Sequence, residues 1–509
     1  MSLNLAYILR ESAARLPDKP AVLFDGGRLT YAQLDALSDR FAHGLAAAGF
    51  EPGDRVGLQL PNLPQFVIAY FGILKAGCIA VPMNVLLKAP EIAFQLGNSR
   101  ARGLITWAGI VGEAAKAAEA AQVAHLYVVN TPGMPAATVG TPFEALLDSD
   151  PGLPAPMVHT EPGDTAVVIY TSGTTGTPKG AELTHFQLLM NADTPGRVFG
   201  VRDDDVELVA LPLFHVFGLS SQLNVAVRFG ATLSLMPRFE PAAALEIIRR
   251  DTVTIFVGVP TMYIAMLAHA EAAGVDPEDI ASLRIGISGG AALPAEVIDA
   301  FEARFGVLIL EGYGLTETAS TTTFNISAEE RRVYSVGKPI WGVNLQIWDT
   351  AGTPLPRGSE HVGEIVVSGV NLLKGYFDDE ASTAAAFTRG WFHTGDLGYV
   401  DEDGFVFVVD RLKDLVIRGG YNVYPREIEE VLYTHPGILE AAVIGVPDAR
   451  LGEEVKAFVT PRAGVTVTPD EIIAFTKERI AAYKYPRLVE IRAEMAHGPT
   501  GKILKTLLR

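Results

Sequence analysis

Residues 170–180 read YTSGTTGTPKG. Hydroxyl side chains and glycines crowd a loop that ends in one fixed cation, Lys179. Successive backbone N–H groups in such a loop can surround an anion, with Ser and Thr hydroxyls as further donors and lysine as a point charge. Phosphate is the natural guest. The usual phosphate template, G-x-x-x-x-G-K-[ST], fails because Pro178 precedes Lys179 and Gly180 follows it; G-x-G-x-x-G is absent too. On composition alone, an ordinary surface loop explains the same residues equally well.

The elements that must hold this loop are readable. Residues 165–170, TAVVIY, form a continuous apolar run suited to a buried strand. Thr184-His185-Phe186-Gln187 supplies a capping box, so the loop should lead into a helix. From the start to about 125, helical patterns alternate with the short apolar strands RVGLQL, CIAVPM and RGLIT, and the alternation resumes after 165. This predicts parallel sheets covered on both faces. A Pro- and Gly-rich stretch at 130–165 reads as a surface connection between two αβ subdomains, about 1–165 and 166–330. Residues 331–410 carry strands without long helices, with an Asp403-Gly404 turn, and read as a small β-barrel or sheet. The last hundred residues, 411–509, read as a separate α+β domain joined at DRLKD (410–414). The expected fold class is therefore α/β, with a large multilayered N-terminal domain (1–410) and a small C-terminal one.

A chain of 509 residues exceeds one compact domain, and its 49% hydrophobic and 20% charged residues suit a soluble core-forming protein. A formal charge of −18 argues against a nucleic-acid backbone as partner. The single cysteine, Cys78, cannot form an internal disulfide and fits a reducing cytoplasm. Arg10 and Glu11 stand where a signal peptide needs its apolar core, so no export is expected. The stretch FVIAYFGILKAGCIAVPMNVLL is broken by Lys75 and Pro82. It is expected as a core helix followed by a strand, with no transmembrane segment.

YTSGTTGTPKG resembles the signature loop of the adenylate-forming enzymes, which include acyl-CoA synthetases, 4-coumarate-CoA ligases and luciferases. Six further motifs follow in the family's order: LPLFHVFG (211–218), SGGAAL (288–293), EGYGLTE (311–317), WFHTGDLGY (391–399), DRLKD (410–414) and PTGKILK (499–505). The resemblance spans essentially the whole chain. It implies a two-step reaction in which a carboxylate attacks the α-phosphorus of ATP, releasing pyrophosphate, and the thiol of coenzyme A then displaces AMP.

The resemblance also implies roles, residue by residue. Thr171, Ser172, Gly173, Thr174, Thr175, Gly176 and Lys179 would hold the β,γ-phosphates, with Thr171 and Glu317 at Mg²⁺, an oxygen-only set that suits this hard ion. Gly289, Gly290 and Ala291 would lie against the base beside Tyr313. Glu311, Gly312, Gly314 and Thr316 complete that nucleotide wall. Asp396 would accept the ribose hydroxyls, with Arg411 as the neighbouring donor. Lys502 resembles the adenylation lysine. Lys413 falls at the position about which the family's C-terminal domain rotates, and Gly420 and Tyr421 fall on the expected pantetheine tunnel. By residue type alone, Asp396 reads as a turn residue, Tyr313 as core, and Glu317 and Lys502 as solvated charges.

For the acid, the resemblance points to His215, Phe217, Ser221, Gly312 and Gly314. Residues 211–227 contain no charged side chain apart from a protonated His215, which disfavours diacids unless Arg228 or Arg238 enters from elsewhere. An apolar tail is expected. The N-terminal text is most similar to bacterial fatty-acid-CoA ligases, so a medium- or long-chain fatty acid is favoured. Leu219 departs from the gating tryptophan of some long-chain enzymes, which leaves chain length open. A hydroxycinnamate such as ferulate is the alternative acid. Rivals of another kind are a catalytically silent nucleotide-binding protein and an enzyme that loads a carrier protein in place of CoA. A homodimer is one assembly state consistent with the sequence.

Overall fold

The alternating apolar strands and helices assemble into two large sheets. The computed structural model describes residues 2–508 apart from 132, 134, 149–156, 172–176, 328, 449 and 499–500. An eight-stranded sheet runs, edge to edge, Gly375–Tyr376, Lys179–Thr184, Thr165–Thr171, Ile79–Pro82, Arg55–Gln59, Ala101–Trp107, His125–Val129 and Thr141–Pro142. Its pairings from Thr165–Thr171 onward are parallel, as βαβ connections require. A nine-stranded sheet runs Lys338–Pro339, Thr323–Phe324, Leu308–Tyr313, Ile285–Ser288, Ile255–Gly258, Val206–Val209, Thr232–Leu235, Pro20–Phe24 and Gly27–Thr30.

The sheets do not divide the chain near residue 165. The strands flanking the phosphate loop belong with residues 55–142, while the N-terminal hairpin extends the second sheet by pairing Val22 with Leu233. Gly375–Tyr376, far along the chain, closes the edge of the first sheet. Strand patterns specify a buried face but not a partner, so the Pro- and Gly-rich connection marks surface without marking a sheet boundary.

Residues 343–411 form an open five-stranded antiparallel sheet. Gly363–Gly369 lies between Val343–Trp348 and Trp391–Val400, whose far edge is shared by Phe387–Thr388 and Val406–Arg411. One buried apolar cluster runs through both large sheets from Leu5 to Val406, and a separate one begins at Val416. The break leaves a short connection at 412–415. Beyond it, Tyr421–Val423, Val416–Arg418, Gly452–Pro461 and Ile438–Asp448 form a sheet joined by Leu488–Ile491, with helices Pro425–Tyr433 and Pro469–Lys477.

The most hydrophobic stretch is core. Pro64, at the first helical position, opens the helix Pro64–Lys75, and a strand Ile79–Pro82 follows. Lys75 is fully buried at its end, with Nζ 2.6 Å from Asp35 Oδ1 and 2.8 Å from Asp39 Oδ1. Arg10 pairs with the same two carboxylates. Among the described residues no helix is long and apolar enough to cross a membrane.

Candidate active site

The phosphate loop is a hairpin loop. Thr171 ends one strand directly opposite Lys179, the first residue of the next, so hydroxyl and ammonium are fixed by a single β-ladder. Residues Ser172, Gly173, Thr174, Thr175 and Gly176 lie outside the described residues. The sequence led from loop straight to helix; instead the strand Lys179–Thr184 intervenes, and the helix His185–Val198 begins after it with the expected Thr184–Gln187 capping box. Its six residues place Lys179 at the loop mouth and Thr184 at the helix cap. Gly180 is required by crowding, since a Cβ there would stand 2.8 Å from the Val168 side chain.

Glu317 follows the strand Leu308–Tyr313 on the short turn Thr316–Thr318. Its Oε1 accepts a hydrogen bond from the Tyr376 hydroxyl at 3.1 Å. Desolvation pushes the carboxyl above its ordinary range, and the Tyr376 bond partly offsets this. Lys179 Nζ sits 5.3 Å from the centre of the same tyrosine ring. Tyr376 is held there because its strand pairs with Lys179–Thr184, setting it opposite Ala181. Sequence reading missed Tyr376, whose two-residue strand has no periodicity to reveal it.

The residues fit Mg²⁺ in a particular way. Among the described residues no three His, Cys, Asp or Glu side chains gather to cage a metal. A desolvated Glu317 would offer one hard oxygen ligand, and Thr171, the residue expected beside it, a second. This suits an ion that keeps its waters and takes its remaining ligands from substrate phosphates.

The strand Ile285–Ser288 delivers Gly289, Gly290 and Ala291. Gly290 adopts φ +80 and, with Ala291, is exposed. Gly289 packs on Phe217, where a Cβ would meet the ring at 3.0 Å. Tyr313 donates its hydroxyl hydrogen to Asp396 Oδ2 at 2.6 Å, and Arg411 Nε stands 3.1 Å from Asp396 Oδ1. Asp396 and Arg411 are cross-strand partners, so the ladder sets this ion pair.

Three of the expected nucleotide or acid residues also carry packing contacts. Glu311 is buried, accepts the Leu293 N–H at 3.1 Å, and is pushed up to about 7 by desolvation. Its carboxyl braces the SGGAAL loop from beneath. A Cβ on Gly312 would strike the Phe324 ring at 2.5 Å, and one on Gly314 would lie 1.4 Å from the Ser320 carbonyl oxygen. These glycines admit the turn at 319–324. Thr316 is half-buried on the Glu317 turn.

His215 precedes a π-helical turn, Phe217–Asn224, of the kind that recurs at functional sites. Its Nδ1 accepts the Phe217 N–H at 3.2 Å, leaving the proton on Nε2. Burial, aided by the Lys502 charge, pushes His215 down to about 4, so it is a neutral donor. Ser221 is buried, with Oγ 2.7 Å from Ser320 Oγ and 3.2 Å from Thr321 Oγ1.

Lys502 arrives from the C-terminal unit. A tight hairpin carries it, with an antiparallel bridge between His497 and Ile503 and a hydrogen bond from Gly498 N–H to the Lys502 carbonyl at 2.7 Å. The ammonium shares the electrostatic field of Arg411, Asp396 and His215. The surrounding cleft walls, which still admit solvent, together with Arg411 bring it down to about 8. The structure thus gathers Lys502, Asp396, Arg411, Tyr313 and His215 in one cleft.

It does not bring Gly420 and Tyr421 there. They sit on the exposed hairpin joining Val416–Arg418 to Tyr421–Val423, with φ +58 and +86 at Gly419 and Gly420. A Cβ on Gly420 would meet open space, and Tyr421 rests on Tyr483 at 4.9 Å. Lys413 is exposed in the turn after Arg411, where Asp414 N–H bonds the Arg411 carbonyl at 3.0 Å.

Comparison with known proteins decides the family. The AMP-binding enzyme model matches residues 9–377, and the AMP-binding enzyme C-terminal domain matches residues 427–502. The chain belongs to the AMP-binding enzyme family. This AMP-binding enzyme is 37% identical to a long-chain-fatty-acid–CoA ligase of Bacillus subtilis, over 99% of the chain and 94% of that protein. It is 38% identical to a feruloyl-CoA synthase of Amycolatopsis sp., over 97% and 96%. Its structure matches that of ATP-bound MatB from Rhodopseudomonas palustris with a TM-score of 0.90 and 32% identity, covering 100% of the chain and 98% of MatB. The enzyme is an ATP-dependent acid–CoA ligase. Its two matched segments flank the break in the apolar core, which places the Lys502 hairpin in the C-terminal module.

Proposed function

We propose that this ligase activates an apolar monocarboxylic acid, with a medium- or long-chain fatty acid favoured. One observation carries the reading: the segment that faces the acid offers no cation to a second carboxylate. His215 is neutral, and residues from Leu211 to Val227 bring no other ionisable group. Arg228 is engaged elsewhere, bridging Glu11 and Asp193. The similarity to a long-chain-fatty-acid–CoA ligase supports the same choice. The similarity to a feruloyl-CoA synthase keeps a hydroxycinnamate as the second reading. The buried hydroxyl cluster of Ser221, Ser320 and Thr321 favours it specifically, being able to bond a ring hydroxyl.

In the first step a carboxylate oxygen bonds to the α-phosphorus as the bond to pyrophosphate breaks. Lys179 and the loop hold the departing phosphates. Asp396 and Arg411 orient the ribose, and His215 steers the acid through Nε2–H. Lys502 neutralises charge that grows between two anions, the type of electrostatic preorganisation that dominates such transfers. Mg²⁺, held by Thr171 and Glu317, would supply Lewis-acid screening of the triphosphate. In the second step the CoA sulfur bonds to the acyl carbon as the bond to AMP breaks. We take rotation about Lys413 to exchange the Lys502 hairpin for the Gly420–Tyr421 face, opening a path for the thiol. A demand for ATP and CoA fits work in the cytoplasm.

CoA-dependent AMP release, measured across C2–C18 fatty acids, benzoate, cinnamate, coumarate, ferulate and malonate, tests this. The highest kcat/KM is expected for a fatty acid. A clear preference for ferulate or coumarate would replace the first reading with the second.

A further inference from the structure

The Lys502 hairpin is fastened to the N-terminal part at one atom that matters for the lysine. Thr261 lies in the first turn of the helix Pro260–Ala273, directly after the strand Ile255–Gly258 of the nine-stranded sheet. Its hydroxyl donates to the Gly501 carbonyl oxygen at 2.9 Å. That carbonyl belongs to the peptide unit that also contains the Lys502 nitrogen. Since a peptide unit is planar, fixing its oxygen fixes the direction in which the chain enters Lys502.

The contact is built for close approach. Gly501 has φ +78, and a Cβ there would come within 2.7 Å of Thr261 Oγ1 and 3.0 Å of the Val259 side chain. Glycine at 501 therefore answers two constraints, a left-handed backbone and a neighbour at contact distance. Thr261 does not cap its own helix; its hydroxyl is spent across the interface. By contrast, Lys505 pairs with Glu429 at 2.7 Å within the C-terminal module, so that bond travels with the module when it moves.

We propose that Thr261 is a positioning residue that latches the module in its lysine-in arrangement and must release for thioester formation. The inference rests on the two-step reading above. The latch acts through Lys502, and its loss shifts the population of arrangements rather than removing a reacting group.

The test separates the two half-reactions in Thr261→Val, which keeps the shape and removes the donor, and in Thr261→Ser, which keeps the donor. Acid-dependent ATP–pyrophosphate exchange should fall about five- to tenfold in Thr261→Val, the scale of one interdomain hydrogen bond. Thioester formation from supplied acyl-adenylate should be unchanged or faster, and Thr261→Ser should restore exchange. Trypsin cleavage in the 411–416 connection with ATP bound should be faster in Thr261→Val than in the parent. Equal loss in both half-reactions, or no change in exchange and cleavage, would overturn the latch. Failure of the two-step reading would show differently, as absence of acid-dependent exchange in the parent enzyme.

Discussion

Tyr376 donates a hydrogen bond to Glu317 at 3.1 Å while its ring faces Lys179 Nζ at 5.3 Å, joining the proposed metal carboxylate to the phosphate-loop lysine through one side chain. These residues lie on three separate segments, and the tyrosine sets the spacing between an anion and a cation that the proposed site would use to receive a metal triphosphate. Tyr376→Phe should keep the ring and lose the hydroxyl. The half-saturating Mg²⁺ concentration for ATP–pyrophosphate exchange should then rise about fivefold, the worth of one net hydrogen bond of about 1 kcal/mol. Tyr376→Leu should in addition weaken ATP binding measured by calorimetry without Mg²⁺, because a half-buried cation–π contact contributes about 0.5–2 kcal/mol. Unchanged Mg²⁺ dependence in Tyr376→Phe would show that the hydroxyl serves packing.

Lys502 gives the pH dependence its sign. A lysine stabilises growing negative charge only while protonated, and here partial desolvation by the surrounding protein and Arg411 bring it down to about 8. Charge is therefore present below that value and lost as pH rises through it. The kcat/KM for adenylate formation, which reports the free enzyme, should fall on an alkaline limb with its midpoint near 8. Lys502→Arg, always charged, should move that limb upward in whatever activity it retains. Lys502→Ala should nearly abolish adenylate formation while sparing thioester formation from supplied acyl-adenylate; equal loss in both would remove the lysine from the first step.

The cluster of Lys75, Asp35 and Asp39 carries stability rather than chemistry. Lys75 is buried beneath two carboxylates, with Nζ also 2.7 Å from Ser38 Oγ. Removing one member of a buried ion network leaves uncompensated charge and costs about 3–5 kcal/mol. Lys75→Met should lower the thermal midpoint and the denaturant midpoint sharply, with KM for ATP unchanged in the protein that remains folded. A midpoint within a degree of the parent would mean that Arg10 alone satisfies both carboxylates.

How much of this was legible in the sequence depends on the kind of signal. The capping box at Thr184–Gln187 is local and was found where the helix begins. The α/β class was legible because alternating strands and helices leave a period. Sheet partnership was not: nothing in PAVLF announces that it pairs beside TLSL, two hundred residues on. The resemblance put Gly312 and Gly314 at the acid pocket, and only the fold adds that both also make room for the crowded turn at 319–324. For Glu311 the motif gives a place in the nucleotide wall, and only the fold shows its carboxyl bracing Leu293 N–H. Tyr376 and Thr261 left no trace because each acts through a partner distant in the chain.

The connection at Lys413 can be tested on geometry alone. The N-terminal core ends with the strand Val406–Arg411, and the next strand begins at Val416, so the intervening turn must absorb any rotation of the C-terminal module. Leu412 N–H bonds the Gly395 carbonyl at 2.9 Å, which ties the turn on its N-terminal side, immediately before the exposed residue Lys413. Proline there would fix φ near −65° and restrict Leu412 as well. Because the lysine-in arrangement is the one described, Lys413→Pro should leave adenylate formation within about twofold of the parent if that φ is compatible, and should slow thioester formation by tenfold or more, on the order of 1.4 kcal/mol in the barrier. Rapid-quench measurement of each half-reaction distinguishes the two. An unaffected second step would place the pivot elsewhere, while loss of both steps together would mean that proline disturbs the Arg411–Asp396 pair that the same turn supports.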